Sequence, residues 1–244
     1  MTGIKRFALS LLSILIFLAG IFLKLSLSGA VLEGEIEARA YTPQIGDSSL
    51  TVRCPHMLSP TESGTVSATI TNTLDEETKP VITAEISSHD GPQQLSQTLD
   101  LAPHETQNIQ WTVNSSNKIF GRLILVNIVQ SRYADLSPRQ GACGILVLNL
   151  FKLKGISAFF LVFFTSLLCI ALGAAGWLRA YTPLNDFRRS AAQACGIMTG
   201  MATAGLLAAL PRWWGLTLFF DAFTLIVVAV VLTEFLLFPG RIRN

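Results

Sequence analysis

Four apolar segments, each about as long as a bilayer is thick and almost free of charge, constrain this 244-residue chain more than any other feature. They cover residues 7–28, 155–178, 191–210 and 216–238. A helix crosses the hydrocarbon core of a membrane with about 20 residues, and only helices and closed barrels can do so with every backbone group bonded. The pattern predicts four transmembrane helices. Composition agrees: half of the residues are hydrophobic and 14% are charged, against about 25% charged in a typical soluble domain.

The basic residues set an orientation. Lys5 and Arg6 precede the first segment, Arg179, Arg188 and Arg189 lie between the second and third, and Arg241 and Arg243 follow the fourth. With four crossings these clusters fall on one side, which the positive-inside rule assigns to the cytoplasm. Both termini are then cytoplasmic, and residues 29–154 and the turn at 211–215 are extracytoplasmic. The first segment also has the basic start and apolar run of a signal peptide, with small residues Ser26, Ser28, Gly29 and Ala30 after it. Its apolar run is long, and we read it as an uncleaved anchor.

Residues 29–154 read as a β domain. Val66, Ala68 and Ile70 alternate with Ser67, Thr69 and Thr71; Ile109, Trp111 and Val113 alternate with Asn108, Gln110 and Thr112. Period two places one face in a core and the other in water. Strands are expected at 49–53, 64–71, 81–87, 94–99, 106–113, 121–130 and 144–151, separated by turn residues at Asn72, 75–77, 90–92 and 102–105. Seven short strands in about 100 residues suggest a two-sheet sandwich. The run from Gly64 to Asn72, then Leu101-Ala-Pro-His-Glu-Thr106 and Ile109-Gln-Trp-Thr-Val113, resembles the immunoglobulin-like modules of bacterial surface and membrane proteins. In those modules a Leu-x-Pro-Gly-Glu-type turn precedes a strand; here His104 takes the glycine position. The resemblance covers about residues 50–130 and implies a fold. Contact with a protein or a glycan is what it permits.

Cys54 and Cys143 flank this domain, and in an oxidising compartment they are expected to form a disulfide tying an early strand to the last one. The alternative is two reduced, buried thiols. Cys169 and Cys195, inside apolar segments, read as small packing residues. His56, His89 and His104 stand singly beside turns, and no nucleophile–base pattern, phosphate-binding loop or paired-cysteine motif is present, so no metal or cofactor is assigned. The loop 131–141 carries Arg132, Tyr133 and Arg139 as candidates for a protein or lipid-headgroup contact, against the plainer reading of a long hairpin loop.

Within the apolar segments two features stand out. Ala192, Gly196, Gly200 and Ala204 recur every four residues and mark a face that admits another helix closely, in this bundle or in a partner. Asp221 lies inside the fourth segment, where a carboxylate must pair, protonate or reach water. Arg212 on the preceding turn is its expected partner. Lys24, Lys152 and Lys154 are expected to snorkel toward the membrane surface.

The sequence is thus read as a membrane α-helical bundle of four transmembrane helices with an inserted all-β, immunoglobulin-like sandwich. The expected function is a non-catalytic accessory or scaffold subunit of a bacterial cell-envelope complex. Its expected partners are a larger integral membrane subunit, phospholipid and an extracytoplasmic protein or glycan; nucleic-acid binding has no support. The alternative is a small membrane enzyme or transporter for a lipid or lipid-linked substrate, built on Asp221, Arg212, Arg132 and Arg139.

Overall fold

The protein is described by a computed structural model covering residues 3–40, 48–131, 133, 137–150, 152–180, 186–211 and 213–237. Among the described residues it contains four α-helices, one short 3-10 turn at Ser115–Asn117 and two β-sheets. The chain divides into two compact units, Ala30–Phe159 and a second made of Met1–Gly29 with Phe160–Asn244.

The first unit is a β-sandwich-like body with helical additions. One sheet has the order β1-β9-β8-β5-β6, with β3 also pairing with β9. These strands are β1 (Ser48–Ser49), β3 (Met57–Leu58), β5 (Val81–Ile86), β6 (Gln93–Thr98), β8 (Leu123–Gln130) and β9 (Arg139–Val147). The other sheet is β2-β4-β7, from Thr51–Arg53, Gly64–Thr71 and Thr106–Val113. The alternating residues face each other as their period requires: Val66, Ala68, Ile70, Ile109, Trp111 and Val113 pack against Ile82, Ala84, Ile86, Ile124, Val126 and Ile128.

The amino-terminal segment of the sandwich changes sheets twice. β1 runs parallel to β9, β2 pairs antiparallel with β4, and β3 returns to run parallel to β9. The expected strand at 49–53 is therefore split, and the two-residue β3 is additional. β9 begins at Arg139, opposite Gln130, rather than at 144. A polar row crosses the outer face of the larger sheet: Gln140 donates to Asn127 at 2.9 Å, Asn127 to Glu85 at 3.3 Å, and Gln94 to Glu85 at 2.8 Å. Slipping any strand by one residue breaks this row, so it helps fix the register.

β8 is buried along nearly its whole length, which a two-layer sandwich alone does not explain. The cause is helix α1, which extends over Gly3–Ala40 and so runs past residue 28, where the apolar segment was expected to give way to the β domain. Its last turns lie over β9 where Gly34 meets Gly144, backbone against backbone; a side chain on Gly144 would strike the Gly34 backbone, and one on Gly34 would sit tightly, 3.3 Å from the Gly144 Cα. Gly144 is the cross-strand partner of Leu125, and this cover buries the second face of the sheet. Residues 30–40 are therefore helix and not loop or strand, and Gly34 serves close approach rather than a turn. Arg122 holds the same segment by donating to both carboxylate oxygens of Glu33 at 2.7 Å.

The second unit combines the first part of α1 with α2 (Gly155–Ala180, from Phe160 onward), α3 (Asp186–Ala209) and α4 (Trp214–Leu237). Its core includes Phe17 and Ile21 of α1, Ile170 of α2, Met198 and Ala202 of α3, and Val227 and Val228 of α4. Two stretches, Ala8–Ala40 and Gly155–Arg179, are long and apolar enough to cross a membrane; those in α3 and α4 are shorter among the described residues, at Cys195–Ala209 and Gly215–Val230.

α1 and α2 touch through small residues. A methyl at Gly173 would lie 2.6 Å from the Phe17 backbone nitrogen, one at Gly20 would lie 2.8 Å from Ile170, and one at Gly176 would strike the Ser13 hydroxyl. Ser166 donates to the Gly20 carbonyl at 2.9 Å. The small end of α2 thus fits α1.

Candidate functional site

The helical unit encloses a charged cluster. The Lys24 side chain is fully buried and pairs with the carboxylate of Asp221, which is itself 8% exposed. Ser28, one turn after Lys24, places its hydroxyl 2.6 Å from the other Asp221 oxygen and 2.9 Å from the Lys24 carbonyl. Its single proton serves one of these acceptors at a time. Gly205 of α3 passes directly over the ammonium group: a methyl there would lie 2.8 Å from the Lys24 nitrogen. The cluster therefore joins α1 and α4 beneath a glycine of α3.

Local helix geometry explains the meeting. Lys24 and Ser28 are four residues apart and share one face of α1, as do Ser13, Phe17 and Ile21, all buried. On α4, Thr217, Asp221 and Thr224 form the matching buried row. The threonine hydroxyls return to their own helix, Thr217 to the Trp213 carbonyl at 3.1 Å and Thr224 to that of Phe220 at 2.7 Å. That leaves the Asp221 carboxylate to accept from α1.

Two expectations change here. Lys24 does not snorkel outward; its ammonium turns inward to a carboxylate. Asp221 is bonded by Lys24 and Ser28, whereas Arg212, its expected partner, lies outside the described residues. Sequence reasoning missed Lys24 and Ser28 as partners. The available signal was their four-residue spacing on the same stripe as Ser13 and Phe17.

The small-residue face of α3 is placed differently from the cluster. Met198, Ala202, Gly205, Leu206 and Ala209 point inward. Gly196 and Gly200 lie on exposed positions, and among the described residues a methyl at either would have no neighbouring atom within 4 Å. Ala204 is half-buried, and the side chain of Ala192 lies outside the described residues.

In the sandwich, Cys54 and Cys143 form a disulfide with a Cα separation of 6.5 Å. It links the segment following β2 to β9 and so fastens one sheet to the other. Arg139 belongs to β9 and is half-buried, so it is not a loop residue as expected. Tyr133 is exposed, and Arg132 lies outside the described residues.

The module-like corner is well bonded. The side chain of buried Asn72 donates to the carbonyls of Glu76 at 2.7 Å and Ala102 at 2.9 Å and accepts from the Leu74 amide at 3.0 Å. His104 has φ +57°, the left-handed conformation that glycine adopts without penalty, and its ring bonds Asp75 at 2.8 Å. Glu105 is held below the usual carboxylate range by the Gln107 side-chain amide and then by the Ala102 backbone amide. Hydrogen bonding and attraction to Asp100, joined by Glu77, raise Lys79 above the ordinary lysine value.

Neither a family model nor a curated protein matches the sequence. Solved structures resemble part of the chain. The CARDB domain of a Pyrococcus furiosus protein, solved with di-metal ions, matches at 10% identity and TM-score 0.34, over 44% of this chain and 92% of that one. A cycloisomaltooligosaccharide glucanotransferase from Paenibacillus matches at 20% identity and TM-score 0.35, over 43% of this chain. A red sea bream transglutaminase matches at 17% identity and TM-score 0.35, also over 43%. The chain spans 14% and 15% of these two enzymes. At such scores the likenesses carry no functional argument. Among the described residues, no three His, Cys, Asp or Glu side chains converge as a metal site.

Proposed function

We propose that this chain is a non-catalytic accessory or scaffold subunit of a bacterial cell-envelope membrane complex. In this reading four helices cross the cytoplasmic membrane, both termini face the cytoplasm, and the sandwich presents an extracytoplasmic surface to a protein or glycan. Phospholipid surrounds the bundle, and a larger integral membrane subunit packs against it.

The observation that supports it is the contrast among the helix glycines. Gly20, Gly173, Gly176 and Gly205 each fit a neighbouring helix within the chain, whereas among the described residues Gly196 and Gly200 meet none. In a membrane, small residues are useful chiefly where another backbone must come close. A stripe left open in the subunit is suited to a helix supplied by a partner. The inverted polarity of the bundle supports the lipid setting: Ser, Thr, Lys and Asp side chains point inward, while Leu12, Phe22, Phe164, Phe219 and Ile226 are exposed. The lipid-handling alternative needs Asp221 as a working group, and that carboxylate is already engaged by Lys24 and Ser28.

The test is extraction of the native protein in mild detergent, followed by sizing and identification of what accompanies it. A stoichiometric larger membrane protein is expected, and Gly200→Leu should release it while leaving the subunit's thermal unfolding unchanged. A wild-type chain that runs alone as a stable monomer overturns the proposal.

A further inference from the structure

Phe120 is the most exposed large apolar side chain among the described residues, at 71%. It occupies a tight turn closed by Ile119 and Leu123, whose backbones bond each other at 2.7 and 3.0 Å. Both residues between Ile119 and Arg122 have positive φ, +49° at Phe120 and +73° at Gly121. The first position of such a turn ordinarily belongs to Asn, Asp or Gly, because a bulky side chain is strained there. Local propensity therefore disfavours this phenylalanine, and its ring gains little burial from its own chain. A reward from outside would account for the residue.

The surroundings indicate what that reward is. The Arg122 carbonyl accepts from Val147 at 2.7 Å, and the next residue, Leu148, bonds the Leu58 carbonyl at 3.0 Å. The turn thus lies at the end of the sandwich where β9 finishes, and α2 starts at Gly155 within the same unit. Here Leu148 and Ile156 are also exposed, as are Lys152 and Lys154. The sequences 114–123 and 148–156 contain Lys118, Arg122, Lys152 and Lys154 but no acidic residue. Of the nearby carboxylates, Glu33 is bound by Arg122, and Glu62 accepts from the Gly155 amide at 2.7 Å. An exposed apolar tip in a segment that carries basic and no acidic residues, in the same unit as the start of a helix able to cross a membrane, matches the headgroup–acyl boundary of an anionic bilayer.

We propose that the Phe120 turn inserts into an anionic phospholipid surface and anchors the sandwich there, in addition to the helices. This rests on α2 spanning the membrane. Basic side chains engage the headgroups, and Phe120 with Leu148 and Ile156 enters the apolar boundary.

The test uses the full chain with Cys169 and Cys195 replaced by alanine and the disulfide retained. A nitroxide is attached at Phe120→Cys, at Leu95→Cys on the exposed strand β6, or at Phe164→Cys on the exposed face of α2. Each protein is reconstituted in vesicles of phosphatidylcholine and phosphatidylglycerol, and power saturation compares collisions with oxygen and with a water-soluble nickel chelate. Labels at 120 and 164 should favour oxygen, and the label at 95 should favour the chelate. If 164 reports lipid while 120 matches 95, the anchor is refuted and the spanning helix stands. If 164 also reports water, the membrane reading fails and the anchor with it. A label at 120 shielded from both reagents identifies a protein cover and refutes the lipid contact.

Discussion

Replacing Lys24 and Asp221 separately and together tests whether the two residues act as one unit. Lys24 is 0% exposed and Asp221 8%, so neither Lys24→Met nor Asp221→Asn leaves the remaining charge with easy access to water. Breaking a buried ion pair from one side costs about 3–5 kcal/mol, because the surviving charge is desolvated without its partner. For a domain of 150–250 residues each kcal/mol moves the midpoint by roughly 2–4 °C, so each single change should lower it by roughly 6–20 °C. Asp221→Asn keeps an acceptor for Ser28, whose hydroxyl lies 2.6 Å from the carboxylate, and belongs nearer the small end. The double change removes both charges and should recover most of the loss, to within about 1–2 kcal/mol of the parent. The assay is thermal unfolding in one detergent at one protein concentration, followed by far-ultraviolet circular dichroism. Single losses that simply add in the double variant, or singles within about 1 kcal/mol of the parent, refute the pairing.

Removing the disulfide by Cys54→Ala with Cys143→Ala releases a constraint across 89 residues and should cost about 4–5 kcal/mol in the loop-entropy account, read as a lower denaturation midpoint of the non-reduced protein. His104→Gly relieves a left-handed residue at φ +57° and should stabilise by roughly 0.5–1 kcal/mol after loss of the exposed Asp75 contact, measured by thermal unfolding. Glu105 has a folded pKa lowered from an ordinary 4.5, so its stabilising contribution is complete above that value and disappears as pH falls through the lowered folded value. The stability difference between the parent and Glu105→Gln should accordingly shrink as the pH is taken from neutral to well below 4.5; a constant difference contradicts the linkage.

Much of the sandwich was legible because alternation is a local property. The strands at Gly64–Thr71 and Thr106–Val113 coincide with the stretches where apolar and polar residues alternate. β1 and β3 were less legible, since two-residue strands have no period and are defined by the partner β9. The helical extension through Ala40 was missed because Gly34 and the charges at Glu33, Glu35, Glu37 and Arg39 resemble an exit from an apolar segment. Only the close crossing at Gly144 reveals that Gly34 lets helix and sheet meet.

Lys24 presents a sharper lesson. A lysine near the end of an apolar run has the same local sequence whether its ammonium reaches the surface or turns inward. What separates the cases is the face on which it lies. On α1, Ser13, Phe17, Ile21, Lys24 and Ser28 are buried together, while Leu11, Leu12, Leu15 and Phe22 are exposed. On α4, Thr217, Asp221 and Thr224 are buried while Leu218, Phe219, Leu225 and Ile226 are exposed. Water would impose the opposite sorting; a hydrocarbon surrounding favours this one, because polar groups find partners only inside the bundle. Two such stripes, each carrying one charge of opposite sign, can satisfy those charges by facing one another. Reading polarity around each helix, rather than counting apolar residues along it, therefore makes Lys24 the natural counterpart of Asp221.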